Sequence, residues 1–300
     1  QVAQGGLGVL YKGTWRGCEV AVKRPVDPRA ALDANLKEDF RRECIILGEV
    51  RHPNVVLLLG ASLQGSNLCL VLEWCDGGNL HELIHHPAEP LNKVEKRNLL
   101  AGLAAAVAWL HTSSPAIIHR DIKPHNVLVD GLRSVAKLCD FGLAIRNSEV
   151  ANTRSDAGTP QYMSPELYRG ECCSTESDVY AIGMTIWEAA AEEYPFGGMQ
   201  LSDMKTAIVA GERPAVPITA AAALSSLMRD CTGGVASSRP SALEVRAAPL
   251  CLSPSRVGVR CVDGLALPHL GCIIVSTPKT ELCHTPGGSS SGLLILRRRD

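Results

Sequence analysis

No apolar run in this chain approaches the roughly 18 residues that a membrane-spanning helix needs, so no span is expected. There is no signal-peptide pattern and no initiating Met. The abrupt start at Gln1, inside what reads as a structural element, is the start expected of an N-terminally truncated piece. Charge imbalance is also missing. A net charge of −1 over 300 residues supplies no attraction for nucleic acid or a membrane surface. The twelve cysteines lack paired C-x-x-C spacing and have no histidines at zinc-finger intervals. That pattern favours reduced thiols in a cytoplasmic, intracellular protein over a disulfide framework. What remains is a chain with 46% apolar residues, enough for a sizeable core. Its length suits one large two-lobed domain or two ordinary ones.

The most informative stretch is Ile118-His119-Arg120-Asp121-Ile122-Lys123-Pro124-His125-Asn126, which leads into the apolar Val127-Leu128-Val129. Phosphoryl transfer asks little covalent chemistry of a protein. It needs a carboxylate to orient and deprotonate a hydroxyl, ligands for the metal that holds the phosphates, and charge to offset the transition state. One loop here offers an acid, Asp121, an amide, Asn126, and a Lys between them. After another short apolar run, Cys139-Asp140-Phe141-Gly142 supplies a second acid suited to a metal ion.

Upstream, Ala3-Gln4-Gly5-Gly6-Leu7-Gly8-Val9-Leu10 places glycines where a hairpin tip could bring backbone N–H groups against phosphates. In Glu19-Val20-Ala21-Val22-Lys23 a period of two puts Ala21 and Lys23 on one face. Residues 35–49 have helical period, with Leu36, Phe40, Glu43 and Leu47 on one stripe. A carboxylate on an apolar stripe is costly unless paired, and Lys23 is its expected partner.

The order H-R-D-x-K-x-x-N then D-F-G is the protein-kinase signature, and the chain resembles a eukaryotic protein kinase over residues 1–248. The stretch Leu72-Glu73-Trp74-Cys75-Asp76-Gly77-Gly78-Asn79 is similar to the Raf branch of the tyrosine-kinase-like group. The resemblance implies a two-lobed α+β fold: an antiparallel sheet with one main helix in residues 1–72, a hinge at 73–79, and a mainly helical lobe at 80–248. It implies ATP and Mg²⁺ as cofactors and proteins as substrates. Asp121 would be the base, Lys123 would offset γ-phosphate charge, and Lys23 would be held by Glu43 toward the phosphates. Asn126 and Asp140 would hold the metal. Gly5, Gly8, Leu10, Ala21, Leu128 and the backbone of Glu73 and Cys75 would bound the nucleotide, with Leu72 at its rear. Three departures stand out: Ala3 for the first Gly of the phosphate loop, Leu10 for its Val, and Leu72 for a frequent Thr. Cys139, beside Asp140, should line the same pocket.

Gly158 to Glu166 resembles the substrate shelf, with Ser164 where the family has Ala, and Lys123 with Thr159 points to Ser or Thr acceptors. Asp178, at the head of a helix reaching about Ala190, would tie the H-R-D backbone down, and Arg239 would pair with Glu166. Helices are expected at 80–85, 94–110, 204–210, 221–231 and 239–246, and strands at 55–59 and 67–73. Thr232-Gly233-Gly234 follows Cys231 where relatives often carry Trp, so loose packing is expected there. Arg120 suggests activation by phosphate at Ser148, Thr153 or Ser155, placed by an upstream kinase or by autophosphorylation. A pseudokinase scaffold should have lost Lys23, Asp121 or Asp140, and a small-molecule kinase should lack the shelf. Neither departure is seen. Residues 249–300 are expected to be a low-order tail without a catalytic part.

Overall fold

The computed structural model describes residues 3–5, 8–27, 33–63, 67–86, 88–152, 157–218 and 220–248. The expected tail, with Cys251, Cys261, Cys272 and Cys283, lies outside them, as do Thr153 and Ser155.

Residues up to 73 build a five-stranded antiparallel sheet from β1 (Ala3–Gly5), β2 (Gly8–Trp15), β3 (Cys18–Arg24), β4 (Leu58–Ser62) and β5 (Cys69–Glu73), in the order β1-β2-β3-β5-β4. The alternation in β3 buries Val20 against the strand's neighbours and leaves Lys23 half-buried on the face shared with Ala21. Gly8 is needed at the start of β2, because a Cβ there would stand 2.5 Å from the Arg24 carbonyl oxygen. One helix, α1 (Ala34–Glu49), packs on the sheet, with the Asp33 carboxylate accepting the Asn35 amide at its N-cap. Phe40, Glu43 and Leu47 are buried on its inner stripe, as the period predicts. Full burial of Phe40 and Leu47 contributes about 1.5–3 kcal/mol each.

The rest is mainly helical. Capping boxes start α2 (Leu80–Ile84), from Asn79 to Glu82, and α3 (Lys93–Thr112), from Asn92 to Glu95. Four short strands, β6 (Ile117–Ile118), β7 (Val127–Val129), β8 (Ala136–Leu138) and β9 (Ile145–Arg146), pair as β6 with β9 and β7 with β8. They hold the loops that carry Asp121 and Asp140. Then come α4 (Pro165–Tyr168), α5 (Thr175–Ala191), α6 (Leu201–Ala210), α7 (Ala222–Cys231) and α8 (Ala242–Ala247). Helix α5 is buried from Ser177 to Ala189. Its close approach to α7 depends on Gly183, where a Cβ would meet the Cys231 Cβ at 2.7 Å.

Two elements differ from expectation. The strand expected at 55–59 begins only at Leu58, because Val55 and the Val56 amide turn instead to Leu138 of β8. The helix expected from Arg239 begins at Ala242. Pro240 disfavours helical backbone at Arg239, which is extended at φ −73° and ψ 147°. Ser241 then caps the helix through a box with Glu244. The Thr232-Gly233 stretch after Cys231 lines a half-open pocket of about 230 Å³ together with Met184, Trp187, Val216 and Met228.

Candidate active site

The loop between β6 and β7 is anchored from below. Buried Asp178, in the first turn of α5, accepts the amides of His119 at 2.8 Å and Arg120 at 2.9 Å, and the His111 ring at 2.9 Å. The His119 ring clamps the loop to the neighbouring acid. Its Nε2–H donates to the Cys139 carbonyl at 3.0 Å, so its Nδ1 is the acceptor for the Asp121 amide at 3.3 Å. Phe141 packs edge-on against that ring, with centroids 4.8 Å apart. The sequence motif gives His119 no task; its role emerges only in the structure, as a fully buried imidazole with both nitrogens committed.

Asp121 is the centre of a compact polar cluster. Its Oδ1 accepts the Thr159 hydroxyl at 2.7 Å, and its Oδ2 accepts Lys123 Nζ at 2.7 Å and Asn126 Nδ2 at 3.0 Å. Lys123 also donates to Thr159 Oγ1 at 2.6 Å. Asn126 Nδ2 faces the Asp121 carbonyl at 2.8 Å. A carbonyl can only accept, so the Asn126 amide nitrogen must point there, and its Oδ1 is left for a cation.

Across the cleft, Lys23 Nζ bridges three oxygens: both of Glu43 at 2.9 Å and Asp140 Oδ1 at 2.7 Å. Burial pulls the Lys23 ammonium toward neutrality, but the two carboxylates outweigh it and hold the pKa above its ordinary value. Burial pushes Asp140 up, yet Lys23 holds it below the usual carboxylate range. Asp140 sits in a left-handed conformation at φ 60°, which turns its side chain, 41% exposed, toward the cleft. Asn126 Oδ1 and the Asp140 carboxylate are hard oxygen donors, the set Mg²⁺ prefers.

The nucleotide-side residues fall where the strand register puts them. Leu10 pairs with Lys23 and Ala21 with Leu72, so all four lie on one face of the sheet. Leu128 is half-buried on β7 and bridges Asn79 at the end of the hinge. The Glu73 side chain is committed to the Leu57 amide at 2.7 Å and to Lys137 at 2.9 Å. The amide and carbonyl of Cys75 make no hydrogen bond among the described residues. Gly5 pairs with Gly8 at the base of the hairpin, whose tip at residues 6–7 lies outside the described residues. Cys139 is half-buried against the core, and burial pushes its thiol well above the ordinary range, which makes it a poor nucleophile.

Below the shelf, Arg239 and Glu166 form a two-pronged pair at 2.6 and 2.7 Å. Burial alone would push Glu166 up, but the hydrogen bonds from Arg239 hold it below the usual range.

Comparison with known proteins agrees with this geometry. Residues 1–248 match the family described as protein tyrosine and serine/threonine kinase. A probable serine/threonine-protein kinase of Dictyostelium discoideum is 36% identical over 246 residues, covering 82% of this chain and 26% of that protein. The probable serine/threonine-protein kinase SIS8 of Arabidopsis thaliana is 35% identical over 249 residues, 82% of this chain and 24% of its own. The serine/threonine-protein kinase CTR1 of the same plant is 35% identical over 211 residues, 69% of this chain and 25% of its own. The chain thus spans about a quarter of the length of these relatives. With the family match covering 248 of its residues, the chain belongs to the protein tyrosine and serine/threonine kinase family.

Proposed function

We propose that residues 1–248 are the catalytic domain of a protein serine/threonine kinase that moves the γ-phosphoryl group of ATP onto Ser and Thr hydroxyls of protein substrates. The reading rests above all on the Asp121 carboxylate, held by Lys123, Thr159 and Asn126 and facing the Lys23–Glu43–Asp140 group. Asp121 would orient the incoming hydroxyl and take its proton as the new P–O bond forms and the bond to the ADP oxygen breaks. Lys123 would offset charge on the transferred group. Lys23, kept cationic and aimed by Glu43, would meet the phosphates. Mg²⁺ held by Asn126 and Asp140 would supply further charge neutralisation.

Supporting this reading against a scaffold role, Lys23, Glu43, Asp121, Asn126 and Asp140 are all present, Lys23 bonded to Glu43 and Asp140, and Asn126 to Asp121. The Cys75 backbone is available to an adenine edge, and Leu10, Ala21 and Leu128 would close above and below the base. The division into lobes at 73–79 and the end of the domain at 248 belong to the same proposal, as does a role in signal transduction. No described helix is long and apolar enough to cross a membrane. The eight described cysteines are free thiols, in keeping with an intracellular site. Regulation by a phosphate in the segment after Asp140 is part of the reading. Arg120 leads out of the catalytic loop toward that segment, donating to the Leu143 carbonyl at 3.3 Å, and Ser148 lies within reach of solvent.

The test is mass-spectrometric mapping of products after Mg-ATP and a peptide library. Phosphate on Ser and Thr is expected. Turnover dominated by Tyr would overturn the acceptor assignment.

A further inference from the structure

Helix α2 carries His81-Glu82-Leu83-Ile84-His85, an H-E-x-x-H pentad, so both imidazoles stand one turn apart on the same helix face. They converge on Glu188 from α5, more than a hundred residues away in sequence. His81 Nδ1 and His85 Nε2 each lie 3.0 Å from Glu188 Oε1. All three donor atoms fall within 4.8 Å of one another. A tetrahedral Zn²⁺ with ligand bonds of about 2.0–2.1 Å needs donor separations of about 3.3 Å. Small side-chain adjustments would therefore admit an ion.

We infer that His81, His85 and Glu188 form a binding site for a divalent first-row transition metal of the Zn²⁺ class. Two imidazoles and a carboxylate are a donor set for such ions and a poor one for Mg²⁺. The supporting groups that metal ligands require are already in place. Tyr194 Oη lies 3.2 Å from His81 Nε2, and the Tyr162 hydroxyl donates to Glu188 Oε2. His125 stacks on His81 with centroids 3.7 Å apart, and His85 stacks on Tyr194 at 4.5 Å. No net proton release from the imidazoles is needed. Each now donates to the carboxylate, and on binding the ring proton moves to the other nitrogen, where His81 can donate to Tyr194. Glu82 is spent on the α2 cap with Asn79 rather than aimed at the donors, so the site holds an ion without a hydrolytic base. Through Tyr162 and His125 the ion would tie α2 and α5 to the substrate shelf and the catalytic loop.

Zn²⁺ competition against a chromophoric chelator, with Co²⁺ as spectroscopic probe, tests this on the full chain. The expected result is one high-affinity ion per chain. Co²⁺ should give strong visible bands of low-symmetry N/O ligation without thiolate charge transfer. His81→Gln and His85→Gln should each weaken binding by more than about 100-fold, beyond the usual outer-ligand effect, and Tyr194→Phe by about tenfold. The Co²⁺ spectrum of the unmutated chain keeps the proposal testable should a variant fold poorly. No stoichiometric uptake, unchanged affinity in both folded His variants, or a thiolate charge-transfer band placing the ion on cysteines would each overturn it.

Discussion

Two buried ion pairs, one in each half of the molecule, are built on opposite principles. The C-terminal pair, Arg239 with Glu166, is closed. Both carboxylate oxygens meet the guanidinium fork, and the remaining Arg239 donors go to the carbonyls of Glu176 at 2.8 Å and Gly233 at 2.9 Å. The N-terminal pair, Lys23 with Glu43, is open. The Lys23 ammonium divides itself between Glu43 and a third partner, Asp140, whose side chain faces the cleft. An Arg fork fixes geometry, whereas an ammonium is a point charge that can be redistributed when another anion arrives. Closed pairs hold structure together and open ones leave charge available for chemistry. The difference predicts which pair fails in stability and which in turnover.

The largest effect on folding should come from Arg239→Ala. It strands the Glu166 carboxylate in the interior, and breaking one partner of a buried pair costs about 3–5 kcal/mol. Denaturant unfolding should show that loss in full. A loss under 1 kcal/mol would show that Glu166 finds water and that the pair is not closed. The complementary change, Lys23→Arg, keeps the charge but replaces the point donor by a planar fork. Melting temperature should hold within a few degrees, while kcat drops by about 10²-fold, the cost of a misplacement near 1 Å. A variant that loses stability and keeps turnover would invert the comparison.

A smaller effect, in pH, sharpens the same contrast. The folded pKa of Glu166 is depressed, so its contribution to stability is present above the unfolded carboxylate value near 4.5. It is lost as pH falls through the lower folded value. Acid titration of unfolding free energy should therefore decline below about pH 4.5 in the parent and be flatter in Glu166→Gln. Equal slopes would mean that other carboxylates carry the acid sensitivity.

Much of this site was legible in sequence because its chemistry is concentrated in short stretches. Asp121, Lys123 and Asn126 share one loop, and Lys23 with Ala21 share one strand face. Glu43 was found because a carboxylate on an apolar stripe demands a partner, and the structure supplies Lys23 at 2.9 Å. The helix starts expected near 80 and 94 are correct to within a residue, and in the structure capping boxes from Asn79 and Asn92 fix them at Leu80 and Lys93. Apolar periodicity continues through Pro240 to Arg239, yet α8 starts only at Ala242, where the Ser241–Glu244 box caps it. The His81–His85–Glu188 cluster was illegible for another reason. Its halves meet only through the packing of α2 against α5, and Glu188 sits in a helix whose burial on nearly every side erases the periodic signal. The sequence places Cys139 beside Asp140, but its half-burial against the core is a product of packing that the letters alone do not show.

Asp121 as the base is the central assignment, and Asp121→Asn measures it most directly. Asparagine keeps the size of the side chain and one acceptor oxygen, enough for the Thr159 hydroxyl, but its NH2 cannot accept from Lys123 and the side chain cannot take the proton. Steady-state kcat with Mg-ATP and a Ser or Thr peptide should fall by about 10²–10⁴-fold, while ATP affinity measured by titration stays within a few-fold of the parent. Full turnover in that variant, with the chain folded and ATP bound, would contradict the assignment.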